Sequence, residues 1–288
     1  MIAFANRVSP KLQRWRKHRQ LKGCKINSMI IEYTIIILAG VLVGFINTLA
    51  GGGSVISLSL LLILGLPATI ANGTNRMSVF FQTSSSVTTF WRKNMFTTRK
   101  IWWLILPATV GSIAGALLAT GVKSEALEIA MVIVMAFMLV FIFLKPERWM
   151  KENTAFLEKK IRWWQVLLFF VVGCYAGFLQ VGVGYFLLMS LVLGVGFELV
   201  KANAVKNLVI LFSAAVSLVI FILSDQVYYL YGILLSIGSI AGAYIASMMA
   251  IRKGGRFIRW VIVASVILAA MKVTGMVDFK EIFQSLLK

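Results

Sequence analysis

Two glycine-rich breaks hold residues of this chain that are suited to bind an anion. The first break lies in the segment from Gly44 to Ser54 and contains three consecutive glycines, 51–53, inside an apolar stretch. The second lies in the segment from Gly173 to Gly184, which ends with Gln-Val-Gly-Val-Gly at 180–184 and interrupts a later apolar stretch. Glycines expose the backbone, and free N–H groups at the start of a following helix form a nest that attracts anions. The alternative interpretation is that these glycines only allow helices to pack closely.

A polar cluster follows each break. The first cluster lies at 72–76 and includes Arg76, and the second lies at 203–207 and includes Lys206. Each half of the chain therefore supplies one cation, and two positive charges would approach a common centre if the halves face each other. The alternative is that both side chains extend to a membrane surface as ordinary snorkelling residues.

A polar stripe continues from the first cluster. Asn75, Ser78, Gln82, Ser85 and Thr89 recur at spacings of three and four, which places them on one helical face. This face either lines a permeation path or supplies hydrogen bonds between helices. The breaks, clusters and stripe together predict the substrate-binding residues Asn47, Gly51, Gly52, Gly53, Ser54, Asn72, Thr74, Asn75, Arg76, Gln82, Gln180, Gly182, Gly184, Asn203, Lys206 and Asn207.

Several kinds of chemistry lack the residues they need. Of the ten acidic residues, only Glu32, Glu125 and Glu128 lie within long apolar runs, all near the ends, so no deep carboxylate could bind a metal cation or relay protons. The single histidine is His18, outside the apolar runs, which excludes an intramembrane Ser/His protease. No Gly-Lys-Ser/Thr phosphate loop is present. The sequence therefore predicts no enzyme, no metal site and no cofactor.

The elements that position these residues are membrane-spanning helices. The chain has 288 residues, of which 60% are hydrophobic, and they form runs long enough to cross a bilayer. Two shorter runs, 54–66 and 184–197, follow the glycine breaks and are predicted to be half-helices. The fold class predicted is an all-α polytopic membrane protein with long apolar runs at 29–50, 74–91, 101–121, 125–144, 163–181, 205–223, 227–250 and 257–275.

The chain is internally duplicated. The hexapeptide Gly-Ser-Ile-Ala-Gly-Ala at 111–116 recurs at 238–243, and its small residues predict close helix packing. Asn72 and Asn203 repeat in the same order, as do the glycine breaks. The sequence therefore predicts two homologous repeats, each of four long helices and one short glycine-broken half-helix. Secondary transporters bind substrate where such repeats meet.

The placement of the charges indicates membrane topology rather than nucleic-acid binding. The net charge of +19 is concentrated between apolar runs, including the loops 92–100 and 251–259. In the aligned repeats the basic loop 92–100 corresponds to the acidic turn 224–226, so the positive-inside rule favours inverted halves. Ten membrane crossings place the basic internal loops in the cytoplasm, as the positive-inside rule expects, but they place the basic arm 1–28 outside. Eight crossings place the arm in the cytoplasm but put the basic loop 251–259 outside. A true start at Met29 would remove this conflict.

The predicted organisation is a single membrane unit. Residues 1–28 form a basic arm that is either disordered or not native, and 29–144 form the first transmembrane repeat. A cytoplasmic linker, 145–162, leads to the second repeat, 163–275, and to a tail, 276–288. Cys24 and Cys174 suit neither a disulfide framework nor a metal site.

The chain resembles a known family in the order and spacing of several motifs. These are Gly44-Phe45-Ile46-Asn47 with Gly51-Gly52-Gly53, Gly65-Leu66-Pro67 with Ala71-Asn72-Gly73-Thr74-Asn75, and Gly182-Val183-Gly184 with Ala202-Asn203-Ala204. Together they resemble the sulfite exporter TauE/SafE family, also described as toluenesulfonate uptake permeases, over about residues 33–275. The resemblance implies a multi-pass permease of the bacterial or archaeal inner membrane for sulfite, sulfonates or related organosulfur anions.

The function predicted is a secondary carrier with alternating access at the repeat interface. Its partners would be a small organosulfur or sulfur oxyanion and the lipid bilayer, and nucleic acid is not expected. A passive anion channel and a non-transporting membrane scaffold are the alternatives. Direction of transport, coupling ion and oligomeric state are left open.

Overall fold

Every secondary-structure element that the structure describes is helical. The computed structural model describes residues 26–96, 101–130, 133 and 162–273. Residues 124–130 are helical, and a π-helical turn, Ser190–Val195, continues one short helix. The other helices in these ranges are α1 Ile26–Leu49, α2 Ser54–Ile63, α3 Ala68–Arg92, α4 Ile101–Gly121, α5 Trp163–Phe178, α6 Val183–Met189, α7 Leu199–Leu223 and α8 Tyr229–Val273.

Several helices have the length and composition to cross a membrane. The described residues contain four such spans, Met29–Leu49, Ile101–Gly121, Leu199–Leu223 and Tyr229–Ser265. Large apolar side chains such as Leu38, Trp103 and Leu118 are exposed on their outer faces, as expected where lipid replaces water. The helix α3 is 25 residues long but carries the polar stripe, so its hydropathy alone does not mark it as a span. These features agree with a multi-pass membrane protein.

Helix boundaries differ from the apolar runs where polar residues are buried. The helices α3 and α7 begin at Ala68 and Leu199, whereas the runs begin at 74 and 205. Hydropathy misses the first turns because the polar clusters at 72–76 and 203–207 lie inside these helices. The runs 227–250 and 257–275 join in α8, which bends at Gly254.

Parts of the predicted organisation fall outside the described residues. These are the arm before Ile26, the run 125–144 beyond its first residues, the linker 145–162 up to Arg162 and the tail 276–288. Apart from the first three residues of α1, which begins at Ile26, the described helices lie in the two predicted repeats, 29–144 and 163–275.

The two glycine breaks separate long helices from short ones, as predicted. Gly51 (φ 92°) follows α1 and precedes the 10-residue helix α2, and Gly182 (φ 65°) precedes the seven-residue helix α6. The breaks also touch each other, because a Cβ added at Gly51 would lie 2.2 Å from the Cα of Gly184. No side chain fits there, so the two halves meet backbone to backbone.

The packing between the halves is reciprocal. The first helix of the first half, α1, packs on α8, and the first helix of the second half, α5, packs on α4. A Cβ added at Gly242 would lie 2.0 Å from the carbonyl oxygen of Val41, and one added at Gly115 would lie 1.9 Å from that of Cys174. The two copies of the hexapeptide therefore make the same kind of close contact, which confirms the packing interpretation.

Candidate binding site between the two halves

Arg76 binds the C-terminal end of the first helix of the opposite half. Its side chain is 1% exposed and projects from α3. Nη1 donates to the carbonyl oxygen of Ala176 and to Oε1 of Gln180 (2.6 Å), while Nη2 donates to the carbonyl oxygen of Gly177 (2.8 Å) and to Oδ1 of Asn72 (3.4 Å). The cation is thus placed at the negative end of the α5 dipole, which stabilises it.

Lys206 makes the equivalent contact in the other direction. It projects from α7, is 0% exposed, and its Nζ donates to the carbonyl oxygens of Asn47 (3.0 Å) and Thr48 (2.7 Å) at the end of α1. The amide of Asn207 also donates to the carbonyl oxygen of Thr48 (3.1 Å). Each half therefore supplies a cation that caps the first helix of the other half.

Neither cation is bonded to a carboxylate of the residues that the structure describes. All the hydrogen-bond acceptors of Arg76 and Lys206 are carbonyl or amide oxygens. Among the described residues the only buried acidic side chain is Glu32, whose Oε1 accepts a 2.5 Å hydrogen bond from the hydroxyl of Tyr231. Both cations are enclosed by protein rather than extended towards a surface. When both side chains are protonated, the site carries positive charge that helix ends offset only in part.

The first glycine break is closed on one side by a side-chain cap. Oδ1 of Asn47 accepts from the backbone N–H of Ser54 (3.1 Å), and its Nδ2 lies 3.3 Å from Oγ of Ser54 and 3.5 Å from Oε1 of Gln82. Within the described part of the chain, the N–H groups of Gly52 and Gly53 donate to no protein acceptor. These two donors remain able to bind a ligand.

The second break has a similar set of donors and an aromatic neighbour. Gln180 and Gly182 both have positive φ, 59° and 65°, and α6 starts directly after them. The N–H of Gly184 finds no acceptor among the residues that the structure describes. The hydroxyl of Tyr185 hydrogen-bonds Ser265 (2.8 Å) and lies against the first break, where a Cβ on Gly52 would be 2.3 Å from it.

Several buried polar atoms around the cations find no hydrogen-bond partner in the described part of the chain. In the cluster at α7 these are Oδ1 and Nδ2 of Asn203, Oδ1 of Asn207 and, at the end of α1, Oγ1 of Thr48. Near Arg76, its own Nε and the Nδ2 of Asn75 are also unpaired. Buried polar groups are rarely left unpaired, so we expect a polar ligand or water to pair with these atoms.

The structure brings most of the predicted residues into two connected networks. Asn47, Ser54 and Gln82 lie in one, and Asn72, Arg76 and Gln180 lie in another. Ser57 of α2 donates to Oδ1 of Asn75 (2.6 Å), which links α2 to α3. Lys206 and Asn207 meet the end of α1, and the glycine breaks touch at 51 and 184.

Other polar residues serve helix packing. Oγ1 of Thr74 accepts from the backbone N–H of Tyr228 (2.9 Å), at the start of α8. On the polar stripe, Ser78 donates to Ser239 (2.9 Å) and Ser85 donates to the carbonyl oxygen of Ile240 (3.1 Å). These two stripe residues therefore supply interhelical hydrogen bonds, one of the two roles considered for the stripe.

Sequence reasoning missed three participants. Thr48 accepts the hydrogen bonds of Lys206 and Asn207 with its carbonyl oxygen, a group that carries no side-chain signal. Tyr185 and Ser265 come together across 80 positions of the chain. The position of Tyr185 directly after Gly184 is the one signal that could have indicated it.

Comparisons with known proteins agree on the kind of molecule. The model of the family described as "Sulfite exporter TauE/SafE" matches residues 36–273. A "Probable membrane transporter protein" of Haemophilus influenzae is 29% identical over 230 residues, 80% of this chain and 89% of that protein. "Probable membrane transporter protein ORF9" of Sinorhizobium sp is 26% identical, covering 81% and 88%, and "Probable membrane transporter protein YfcA" of Escherichia coli K12 is 26% identical, covering 82% and 87%. No solved structure matches the chain at a significant level.

Proposed function

The chain belongs to the sulfite exporter TauE/SafE family of membrane transporters, and we propose that it is a secondary carrier for a small organosulfur or sulfur oxyanion. The family and the names of the relatives indicate a transporter rather than an enzyme. The bacterial relatives favour the inner (plasma) membrane as its location.

The observation that carries this proposal is the pair of buried cations, which contact no carboxylate within the described ranges. Burying a charge in a membrane protein is expensive unless an opposite charge accompanies it. The helix ends at Gly177 and Thr48 supply only partial negative charge to Arg76 and Lys206. An anionic substrate would complete the compensation, and the N–H groups of Gly52, Gly53 and Gly184 would add hydrogen bonds to its oxygens.

Helix directions support an inverted arrangement of the two repeats. Gly40 lies on Leu235 and Gly44 lies on Ser239, so α1 runs parallel to the first part of α8. In the same way Gly111 lies on Phe170 and Gly115 lies on Cys174, so α4 and α5 run parallel.

The central helices relate these two pairs. The start of α3 at Gly73 contacts Phe221 near the end of α7, so these two helices run in opposite directions. Thr74 contacts Tyr228 and Ser85 contacts Ile240, so α3 runs parallel to the first part of α8. Ser112 contacts Ser217 and Thr120 contacts Gln226, so α4 runs parallel to α7. Equivalent helices of the two halves then point opposite ways, as inverted repeats require.

Alternating access would use the two capped helix ends as gates. When the substrate oxyanion approaches Arg76 or Lys206, it competes with the backbone carbonyls that the cation caps. Releasing one cap would free the end of α5 or α1 while the other cap holds. We propose that the repeats 29–144 and 163–275 move against each other in this way, with the linker 145–162 on the cytoplasmic side.

Anion binding and exchange test the proposal directly. The purified protein should gain thermal stability with sulfite, thiosulfate, sulfoacetate or taurine, because a ligand that binds only the folded state stabilises it. In liposomes, unlabelled substrate on the far side should accelerate uptake of labelled substrate. Such acceleration distinguishes a carrier from a channel. If no anion stabilises the protein and none is transported, the protein is a scaffold instead.

A further inference from the structure

Lys206 can exchange a proton, whereas Arg76 cannot. A guanidinium stays protonated in proteins, but a lysine side chain exists as an ammonium or as a neutral amine, depending on its surroundings. The two residues occupy neighbouring positions of the aligned repeats, because an offset of 131 positions relates Asn75 to Lys206 and Arg76 to Asn207. The repeats therefore present similar helix caps, of which only the one made by Lys206 is able to bind and release a proton.

The hydrogen bonds of Lys206 match those of a neutral amine. Its Nζ is fully buried and has two acceptors among the residues that the structure describes, the carbonyl oxygens of Asn47 (3.0 Å) and Thr48 (2.7 Å). Oδ1 of Asn203 and Oδ1 of Asn207 are buried in the same cluster, but neither accepts from Nζ. A neutral amine has two N–H groups and an ammonium has three. The protein contacts therefore satisfy the amine, whereas the ammonium needs one more acceptor.

Unpaired donors lie in the same cluster. Oγ1 of Thr48 and Nδ2 of Asn203 are buried and bond no acceptor in the described ranges. The amide of Asn207 links these two residues, because it donates to the carbonyl oxygens of Asn203 (2.8 Å) and Thr48 (3.1 Å). An oxyanion bound here would accept hydrogen bonds from these donors and from the third N–H of Lys206. Its charge would also favour the ammonium over the amine.

Few titratable groups face this end of α1 from the helices packed against α7. They are Arg76 on α3, Tyr175 on α5 and Tyr185 on α6, and the segment Ile101–Gly121 of α4 contains none. Arginine keeps its charge and tyrosine keeps its proton between about pH 6 and 8. Lys201 of α7 itself lies on another face of the helix.

The buried acid of the described residues lies far from this cluster. Glu32 is about 22 Å from Asn47 along α1, and its carboxylate accepts from Tyr231 of α8. The basic side chains of α8, at 252–259, lie around its bend at Gly254. Among the side chains near the end of α1, Lys206 is therefore the one suited to titrate near neutral pH.

We propose that Lys206 binds the coupling proton of this carrier: its neutral amine takes a proton from water as the anion binds, and the ammonium so formed donates its third N–H to an oxygen of the anion. The inference rests on the proposed function and names a coupling ion for the same site. Each of the two ligands then strengthens the binding of the other. With alternating access the proton enters and leaves together with the anion, so a monovalent anion crosses the membrane without net charge.

Calorimetric titration of the full-length purified protein with ethanesulfonate and thiosulfate counts this proton. Both are anions of strong acids, so they carry no proton of their own near neutral pH. In buffers of different ionisation enthalpy, the binding enthalpy should report an uptake of about one proton per anion, and the Kd should rise up to about tenfold per pH unit as the pH is raised above neutral.

Two lysine variants assign the proton to its residue. Lys206→Arg keeps the positive charge but cannot release a proton, so it should bind the anions without proton uptake and with a Kd that does not vary with pH. Lys201→Arg, on the same helix, is the matched control and should take up the proton as the unmodified protein does.

Each other outcome decides one of the two proposals. Anion binding without proton uptake by the unmodified protein overturns the proton site and leaves the carrier in place, and so does proton uptake that persists in Lys206→Arg. Failure to bind both ethanesulfonate and thiosulfate also overturns the proton site, whereas failure to bind every anion of the thermal screen overturns the carrier as well. If Lys206→Arg does not fold, Lys206→Gln at saturating anion replaces it, and proton uptake by that variant overturns the proton site.

Discussion

Arg76 and Lys206 illustrate how one residue can serve both folding and transport. Each caps the carbonyl end of a helix in the other half, so each contributes to the contact between halves. Each also places a basic group inside the protein, where a positive charge is only partly compensated. A polar, uncharged replacement separates these two roles, because glutamine can still donate to carbonyl oxygens but carries no charge.

Arg76→Gln and Lys206→Gln should weaken anion binding while the protein still inserts and folds. Loss of a charge-assisted hydrogen bond costs about 1.5–3 kcal/mol, or roughly one to two decades of affinity. The melting temperature is measured as sulfite and ethanesulfonate are titrated, which gives the affinity for each anion. The control is Lys201→Gln, on the same helix as Lys206. Unchanged affinity in both variants would show that the cations only cap helices.

The glycine breaks should tolerate side chains worse than helix propensity alone predicts. Gly52→Val places a branched side chain against the hydroxyl of Tyr185, and Gly182→Val places one where φ is 65°. If the backbone N–H groups bind the anion, transport should fall even in variants that purify as folded protein. The measurement is uptake in liposomes alongside thermal unfolding of the same preparations, with Asn47→Ala as the milder companion. Full transport by folded Gly52→Val and Gly182→Val would place the substrate away from the breaks.

At the scale of helices, glycine determines which pairs approach closely. The pairs α1 with α8 and α4 with α5 are formed by small residues on both partners, so backbone meets backbone between the two halves. Membrane helices gain little from the hydrophobic effect on association, and close packing of this kind replaces it.

Gly115→Ala should destabilise the protein, whereas Gly121→Ala on the same helix should not. A Cβ at Gly115 would lie 1.9 Å from the carbonyl oxygen of Cys174, so α4 and α5 must separate, and overpacking typically costs about 1–3 kcal/mol. At Gly121 a Cβ would meet nothing within 4 Å, and alanine favours the helix by up to about 1 kcal/mol. Thermal unfolding of the two variants compares them directly. Equal melting temperatures would mean that the α4–α5 contact contributes nothing.

The sequence alone predicted those features of the fold that depend on hydropathy and glycine content. The glycine breaks, the short helices after them and the packing role of the repeated hexapeptide follow from local chemistry. The starts of α3 and α7 did not, because polar residues such as Asn72 and Asn203 lower hydropathy inside a helix that the tertiary structure buries. The carbonyl of Thr48 and the contact of Tyr185 with Ser265 depend on long-range packing, to which local patterns are blind.

For the whole molecule, direction of the repeats decides how a carrier of this kind can work. If equivalent helices point opposite ways, exchanging the conformations of the two halves turns an inward-open protein into an outward-open one. Topology is therefore the property on which the transport mechanism depends most.

Arg92 and Arg252 should face the same side of the membrane. Both are exposed, Arg92 at the end of α3 and Arg252 beside the bend of α8 at Gly254, in the basic segments 92–100 and 251–259. Inverted repeats together with the positive-inside rule place both segments in the cytoplasm. Arg92→Cys and Arg252→Cys, made singly without Cys24 and Cys174, should be labelled by an impermeant thiol reagent only when it reaches the cytoplasmic face. Ser224→Cys, which is exposed in the acidic turn, should be labelled from the opposite face. Labelling of Arg92→Cys and Arg252→Cys from different faces would instead establish parallel halves, and the two capped helix ends could not then act as opposing gates.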